Sequence, residues 1–178
     1  MPTVQENKLC FEFPEDWKVT KYDNWDFYRK QFNDKLCKRL KATDILAIDP
    51  QNTVWFIEIK DLRREKDKAE HERTNPETLP DTIVLKVLHT LAALLPARLG
   101  SSKDIERNFA ENVLQAKQLR VVLHLEYPKD IDESLAISVL ANIQQELRRK
   151  FKRAIDPHPL VVEMTNMQDL PWTVSSST

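Results

Sequence analysis

Glycine occurs once in this chain, at Gly100. The phosphate-binding loops of P-loop and dinucleotide-binding proteins, and the nucleophile elbow of many hydrolases, each need at least two glycines at fixed spacing. None of these loops exists here, which argues against the common nucleotide-binding and hydrolase architectures. Four scattered histidines and two cysteines, Cys10 and Cys37, likewise argue against a structural zinc site.

Composition predicts a globular protein. The 178 residues fit a single domain over 1–178, and 41% hydrophobic with 31% charged residues excludes a disordered chain. The net charge of -1 means that nucleic acid would have to be bound by a local patch. The chain shows no C-x-x-C pair, no secretory signal and no apolar stretch long enough to span a membrane, so we expect a reducing, cytoplasmic location and no membrane partner.

The apolar pattern predicts strands and helices in alternation. Strands are expected over Leu9–Phe13, over the hairpin 43–61, from Leu119 and from Leu160. Helices are expected from Asp23 or Asn24 to Leu36 or Leu40, over Pro80–Leu99, over 102–117 and over 132–152. Residues 61–78 are predicted to be an exposed connector and the Ser-rich tail to be frayed. The fold class predicted is α/β, with a mixed β-sheet.

The hairpin 43–61 carries three charges at one end. Asp49-Pro50-Gln51-Asn52-Thr53 suits a three-residue loop, with Pro50 in a type I turn and Asn52 in the left-handed region. That loop pairs Asp49 with Thr53 and so places Asp44 opposite Glu58. Lys60 then projects from the same face as Glu58. A two-residue loop would instead move Asp44 to the opposite face.

Two opposed carboxylates repel each other unless a cation compensates them. A neighbouring lysine would do so, and so would Mg²⁺, which prefers carboxylate oxygens and water. A metal ion in this position polarises phosphate and acidifies its bound water, and a lysine helps to orient that water. The other interpretation of Asp44, Glu58 and Lys60 is a salt-bridged strand end at the rim of the sheet.

Asp44, a turn, and then Glu58-Ile59-Lys60 on the next strand resemble the motif of the PD-(D/E)xK nuclease superfamily. The resemblance implies a restriction-endonuclease-like fold, a mixed β-sheet flanked by helices in the order helix, three strands, helix, strand. It implies Asp44, Glu58 and Lys60 as catalytic residues. It also implies Asp44, Glu58 and the backbone carbonyl of Ile59 as ligands of Mg²⁺, for which Mn²⁺ would substitute.

Two features differ from that family. Ala42-Thr43 replaces the proline of the motif, and no glutamate lies between Glu15 and Glu58 to supply a first-helix ligand. Asp26 or Asp34 would substitute for this glutamate, or the ligand is absent.

Further cations are candidates for contacts with nucleic acid. The run Arg148-Arg149-Lys150-Phe151-Lys152-Arg153 is the strongest local basic patch, although cations at the C-terminus of a helix also favour its dipole. Lys86, on a polar stripe of the helix that follows the motif, is a candidate for the scissile phosphate. The alternative for both the basic run and Lys86 is that these side chains simply face solvent and contact no nucleic acid.

The sequence therefore leads to the prediction of a metal-dependent nuclease that acts on DNA. The alternatives are a non-catalytic binding or assembly module with a degraded nuclease-like site, and a cleavage subunit that needs a recognition partner. Besides nucleic acid and a recognition subunit, a second copy of the chain, forming a homodimer, is a further possible partner.

Overall fold

The computed structural model describes residues 1–36, 40–63, 78–127 and 133–176. Within these ranges it has four helices and two β-sheets. The elements in chain order are β1 (Thr3–Glu6), β2 (Leu9–Glu12), β3 (Lys18–Lys21), α1 (Phe27–Leu36), β4 (Ile45–Ile48), β5 (Thr53–Asp61), α2 (Leu79–Gly100), α3 (Asp104–Leu114), β6 (Gln118–Glu126), α4 (Glu133–Phe151), β7 (Leu160–Val162) and β8 (Thr173–Ser176). A short 3₁₀ turn at Tyr22–Asn24 precedes α1, which is wound as a π-helix.

The larger sheet is mixed, as the sequence predicts. Its order is β3-β4-β5-β6-β7, with β3, β4 and β5 antiparallel and β6 and β7 parallel to β5. The parallel pairs follow helical crossovers, since α2 and α3 separate β5 from β6, and α4 separates β6 from β7. A smaller antiparallel sheet has the order β1-β2-β8.

The alternation of side chains along β4 and β5 divides the interior into two layers. Leu46 and Phe56 face a core formed with α1, α2, α3 and α4. Ile45 and Ile57 face the opposite side, where they pack with residues of the small sheet and with Trp17, Trp55 and Trp172. Helices therefore cover one face of the main sheet, and the small sheet covers the other.

This arrangement corrects three details of the predicted fold. The strand at Leu9 belongs to the small sheet, and the neighbour of β4 is β3, which lies before α1. In the part of the chain that the structure describes, helices cover one face of the main sheet and not both. The tail, expected to be frayed, pairs with β2 through β8 as far as Ser176. Most of the expected connector, 64–77, and the expected helix start at Asp132 lie outside the described residues.

Helix α2 is the central helix of the helical layer. Ile83, Val87 and Leu94 are fully buried on its inner face, where the sequence predicts its apolar side. By length and composition α2 is also the one described helix that would suffice to cross a membrane, with 33% of its most apolar window buried inside the protein. Its place against the sheet is that of a core helix, and the cytoplasmic location remains a prediction.

Candidate functional site

The turn between β4 and β5 sets the register of the hairpin. Asp49 N–H donates to the carbonyl of Thr53, and Asn52 has a φ of 61°. The Asp49 carboxylate accepts hydrogen bonds from the backbone N–H groups of Gln51 and Thr53. Ile45 consequently pairs with Ile57, so the predicted three-residue loop and its register are confirmed.

Three predicted site residues converge because of this register. Asp44 lies one residue before β4, and its Oδ2 accepts a hydrogen bond of 2.7 Å from the backbone N–H of Ile59. Glu58 is 1% exposed and points into the helix-covered layer. Lys60 Nζ lies 2.9 Å from Glu58 Oε1. Two carboxylates and one ammonium therefore share one side of the strand ends, as predicted.

A second lysine enters the same cluster from α2. Lys86 Nζ lies 2.6 Å and 2.7 Å from the two carboxylate oxygens of Glu58. It also lies 3.3 Å from Asp44 Oδ1. Lys86, predicted as a contact for a substrate phosphate, therefore faces carboxylates and takes part in an internal ion-pair cluster. We refer to Asp44, Glu58, Lys60 and Lys86 as the charged cluster.

Burial determines the protonation of the charged cluster. Removal from water raises the pKa of Glu58 to about 7; Asp44 adds to this shift, and Lys86 and Lys60 oppose it. Burial lowers the pKa of Lys86, but Glu58 and Asp44 more than offset this effect, so that its pKa is raised overall. Lys86 is therefore charged at neutral pH, while Glu58 exchanges a proton near neutrality.

A pocket of about 600 Å³ opens beside the cluster. Lys60, Lys86 and Thr82 line it together with Asp23 and Tyr28. Burial raises the pKa of Asp23 to about 6; Lys21 opposes this effect and Asp44 adds to it. The hydroxyl of Tyr28 and Oδ1 of Asp23 are buried without a hydrogen-bond partner.

Asp23 is the acid that sequence reasoning missed. The sequence suggested Asp26 or Asp34 as substitutes for a first-helix glutamate, and both lie elsewhere. Asp26 pairs with Lys30 and Lys103, and Asp34 is exposed. From the sequence, Asp23 is expected only to begin a helix, and no pattern in the sequence indicates that it lines a pocket beside the charged cluster.

The charged cluster as it stands does not fit a divalent metal ion. Each of the four carboxylate oxygens of Asp44 and Glu58 already accepts a hydrogen bond, from Lys86, Lys60 or the backbone of Ile59. In residues 1–36, 40–63, 78–127 and 133–176, no three His, Cys, Asp or Glu side chains form a group that would hold a metal ion. The roles of Mg²⁺ and of the Ile59 carbonyl remain predictions.

The predicted basic patch is divided between two sides of α4. Arg148, Arg149, Lys152 and Arg153 are exposed and, together with Gln145, line a surface depression of about 550 Å³. These four cations, which we call the basic cluster, surround the C-terminal end of α4. Arg148 and Arg149 lie in its last turn, and Lys152 and Arg153 lie in the turn that follows Phe151. Lys150 points away from them and pairs with Asp81 at 2.5 Å. Within the basic cluster, Arg149 is paired with Glu146 at 2.7 Å.

Comparison with known proteins points to a different function from the one predicted. The chain is 30% identical to a cysteine–tRNA ligase of Neisseria meningitidis serogroup A / serotype 4A (strain DSM 15465 / Z2491) over an alignment of 217 residues. The alignment includes 100% of this chain and 30% of the ligase, so the chain spans less than a third of that relative. No family model matches the chain. No solved structure matches it.

This similarity corrects the functional prediction. A metal-dependent nuclease or other phosphodiester hydrolase is wrong, because the relative that matches the whole chain is a tRNA ligase. The Glu-x-Lys pattern is short, and in this chain its two charged side chains form ion pairs with each other and with Lys86. Asp44, Glu58 and Lys60 still converge as predicted, and this geometry does not depend on any nuclease reaction.

Proposed function

We propose that this chain is an RNA-binding module that works with, or as part of, a cysteine–tRNA ligase, and that tRNA is its ligand. The observation that carries the proposal is the 30% identity, across the entire chain, to a cysteine–tRNA ligase. A region that spans 30% of such an enzyme is long enough to form a module of its own within it.

The basic cluster is the surface that suits an RNA backbone best. Arg148, Lys152 and Arg153 are exposed, and the ion pairs of the described residues leave them without an acidic partner. Exposed cations that are not already neutralised attract phosphate and release counterions when they bind it. Because the net charge of the chain is only -1, attraction to an RNA backbone has to come from a local concentration of positive charge such as this one.

The cluster is also held in place. Phe151 and Leu147 are almost fully buried, which anchors the last turns of α4 to the interior. Asp156 N–H donates to the carbonyl of Phe151, and the Asp156 carboxylate accepts from the backbone N–H of Val121. The four cations therefore project from a fixed helix end, which reduces the entropy lost when they contact phosphates.

We extend the proposal to the fold. An antiparallel hairpin that carries Asp44 and Glu58-x-Lys60, followed by helices and a parallel strand, supports a restriction-endonuclease-like arrangement of the main sheet. A fold hosts many functions, so this arrangement is compatible with a binding role. Cleavage of nucleic acid is no part of the proposal.

The test is direct binding of tRNA to the purified chain. We expect the wild type to bind tRNA, and the variant Arg148→Ala/Lys152→Ala to bind at least tenfold more weakly at moderate salt, because two phosphate contacts are lost. The matched control is Arg29→Ala/Lys35→Ala on α1, which removes the same charge from exposed positions. If both variants lost the same tRNA affinity, the loss would be explained by the change in net charge alone. That result would contradict the assignment of the basic cluster as the RNA-binding surface.

Comparison of ligands tests the preference for RNA. We expect tRNA to bind more tightly than duplex DNA with the same number of phosphates. Equal binding of both would support a general polyanion surface and contradict the proposed link to a tRNA ligase. Absence of tRNA binding in the full chain would contradict the proposed function altogether.

A further inference from the structure

The Asp44–Glu58 pair holds a cation that is part of the chain itself. We infer that the ammonium group of Lys86 is the resident cation of this pair, in the position where the family resemblance would place a divalent metal ion. The inference concerns the charged cluster and does not depend on the proposed binding of RNA.

The geometry around Lys86 Nζ carries the inference. It is shared among three carboxylate oxygens, at 2.6 Å and 2.7 Å from Glu58 and at 3.3 Å from Asp44. A lysine ammonium has three donors and no acceptor. All three of its N–H groups therefore have an acceptor within the pair. The remaining oxygen, Oδ2 of Asp44, accepts from the backbone of Ile59.

Charge balance supports the same assignment. When Glu58 is ionised, Asp44 and Glu58 contribute two negative charges, and Lys86 and Lys60 contribute two positive charges. A divalent ion added to this neutral, largely buried group would introduce two uncompensated charges, which is strongly unfavourable in a site of low dielectric constant. Binding of metal would therefore require Lys86 to leave.

The position of Lys86 on α2 makes that departure difficult. Its neighbours Ile83, Val87 and Thr90 are fully buried, so this stretch of the helix is fixed against the sheet. The Lys86 side chain is 15% exposed, against 25% for Lys60. Of the two lysines, Lys86 is therefore the less free to leave the carboxylates.

Binding of Mn²⁺ to the full chain tests the inference. We expect titration of wild type with Mn²⁺ to show no saturable site at millimolar concentration, and 10 mM Mg²⁺ to leave Tm unchanged relative to EDTA at equal ionic strength. Saturable Mn²⁺ binding by wild type that is lost in Asp44→Asn would overturn the inference, because the metal would then displace Lys86.

Removal of the lysine should create the metal site. In Lys86→Ala, Asp44 and Glu58 keep only Lys60 as a cation, so we expect Mn²⁺ to bind and 10 mM Mg²⁺ to raise Tm by roughly 3–6 °C for a dissociation constant of ~1 mM. Lys60→Ala is the matched control, since it removes the same charge and leaves Lys86 between the carboxylates. It should gain no metal binding.

Lys86→Met guards against a variant that does not fold, because methionine fills the space of the lysine stem. It should behave as Lys86→Ala does. If both Lys86 variants fold and neither binds Mn²⁺, or if Lys60→Ala gains a site of equal affinity, the inference is overturned. If both fail to fold, the wild-type titration decides the matter.

Discussion

Lys86 Nζ lies within 2.7 Å of both carboxylate oxygens of Glu58, a residue 28 positions earlier in the chain. This contact joins the central helix to the middle strand of the main sheet. It places a fixed positive charge at the point where the sequence motif leads one to expect a metal ion.

The two lysines of the charged cluster should contribute unequally to stability. Lys86→Ala leaves Glu58 buried with a single partner, so we expect a loss of about 3 kcal/mol in the free energy of unfolding. Lys60 is more exposed and reaches only one Glu58 oxygen, so Lys60→Ala should cost about 1 kcal/mol or less. Urea unfolding of both variants measures the difference, and equal losses would contradict the geometry.

The pKa of Glu58 should make stability depend on pH. Burial raises this pKa from 4.5 to about 7, so the folded state holds a proton that the unfolded state has released between these values. The contribution of Glu58 to the free energy of unfolding should therefore fall as the pH rises through this window.

The variant Glu58→Gln lacks this titration and isolates its effect. Urea unfolding of wild type and Glu58→Gln at about pH 5, 6, 7 and 8 should show the stability of wild type falling relative to the variant as the pH rises, with most of the change complete near pH 7. A difference between the two proteins that stays constant with pH, or grows in favour of wild type, would contradict the raised pKa.

The hairpin turn depends on the left-handed backbone of Asn52. Its φ of 61° is accessible to asparagine and glycine at low cost but is unfavourable for a β-branched residue. We expect Asn52→Val to lose about 1–2 kcal/mol of stability, and Asn52→Gly to change it by about 0.5 kcal/mol or less in either direction. Thermal unfolding of the two variants distinguishes this backbone effect from any loss of the asparagine side chain, which both share.

Glu106 should be important for the attachment of α1. Its carboxylate on α3 is 4% exposed and accepts hydrogen bonds from the backbone N–H groups of Asp26 and Phe27 and from the Ser101 hydroxyl. Glu106→Ala leaves these buried donors unpaired, so we expect a loss of about 2–3 kcal/mol. The neighbouring exposed Asp104→Ala serves as a control and should cost about 0.5 kcal/mol or less.

Local features of the sequence were sufficient to predict the hairpin, its register and the convergence of Asp44, Glu58 and Lys60. The turn chemistry of Asp49 and Asn52 acts within five residues, and the alternation along β5 then fixes which face Glu58 occupies. The inner face of α2 was predictable for the same reason, since Ile83 and Val87 repeat at helical spacing.

Features that depend on long-range contacts were not predictable. Strand β3 has four residues with Val19 as its only aliphatic one, and its pairing with β4 determines its structure. Lys86 belongs to a polar stripe of α2 that the sequence alone predicts to face solvent. Only the packing of α2 on the sheet places it next to Glu58 and Asp44. The basic run near residue 150 appears uniform in sequence, yet Lys150 turns toward Asp81 and leaves the basic cluster.

The salt dependence of tRNA binding tests the central claim, that the basic cluster contacts an RNA backbone, most directly. Each phosphate contact contributes about 0.7–0.9 to the slope of log affinity against log salt. The account predicts that Arg148→Ala/Lys152→Ala lowers the magnitude of this slope by about 1.4–1.8 relative to wild type, while the control variant Arg29→Ala/Lys35→Ala leaves it unchanged. Parallel lines for wild type and the α4 variant would show that these cations do not contact the RNA, and would contradict the account.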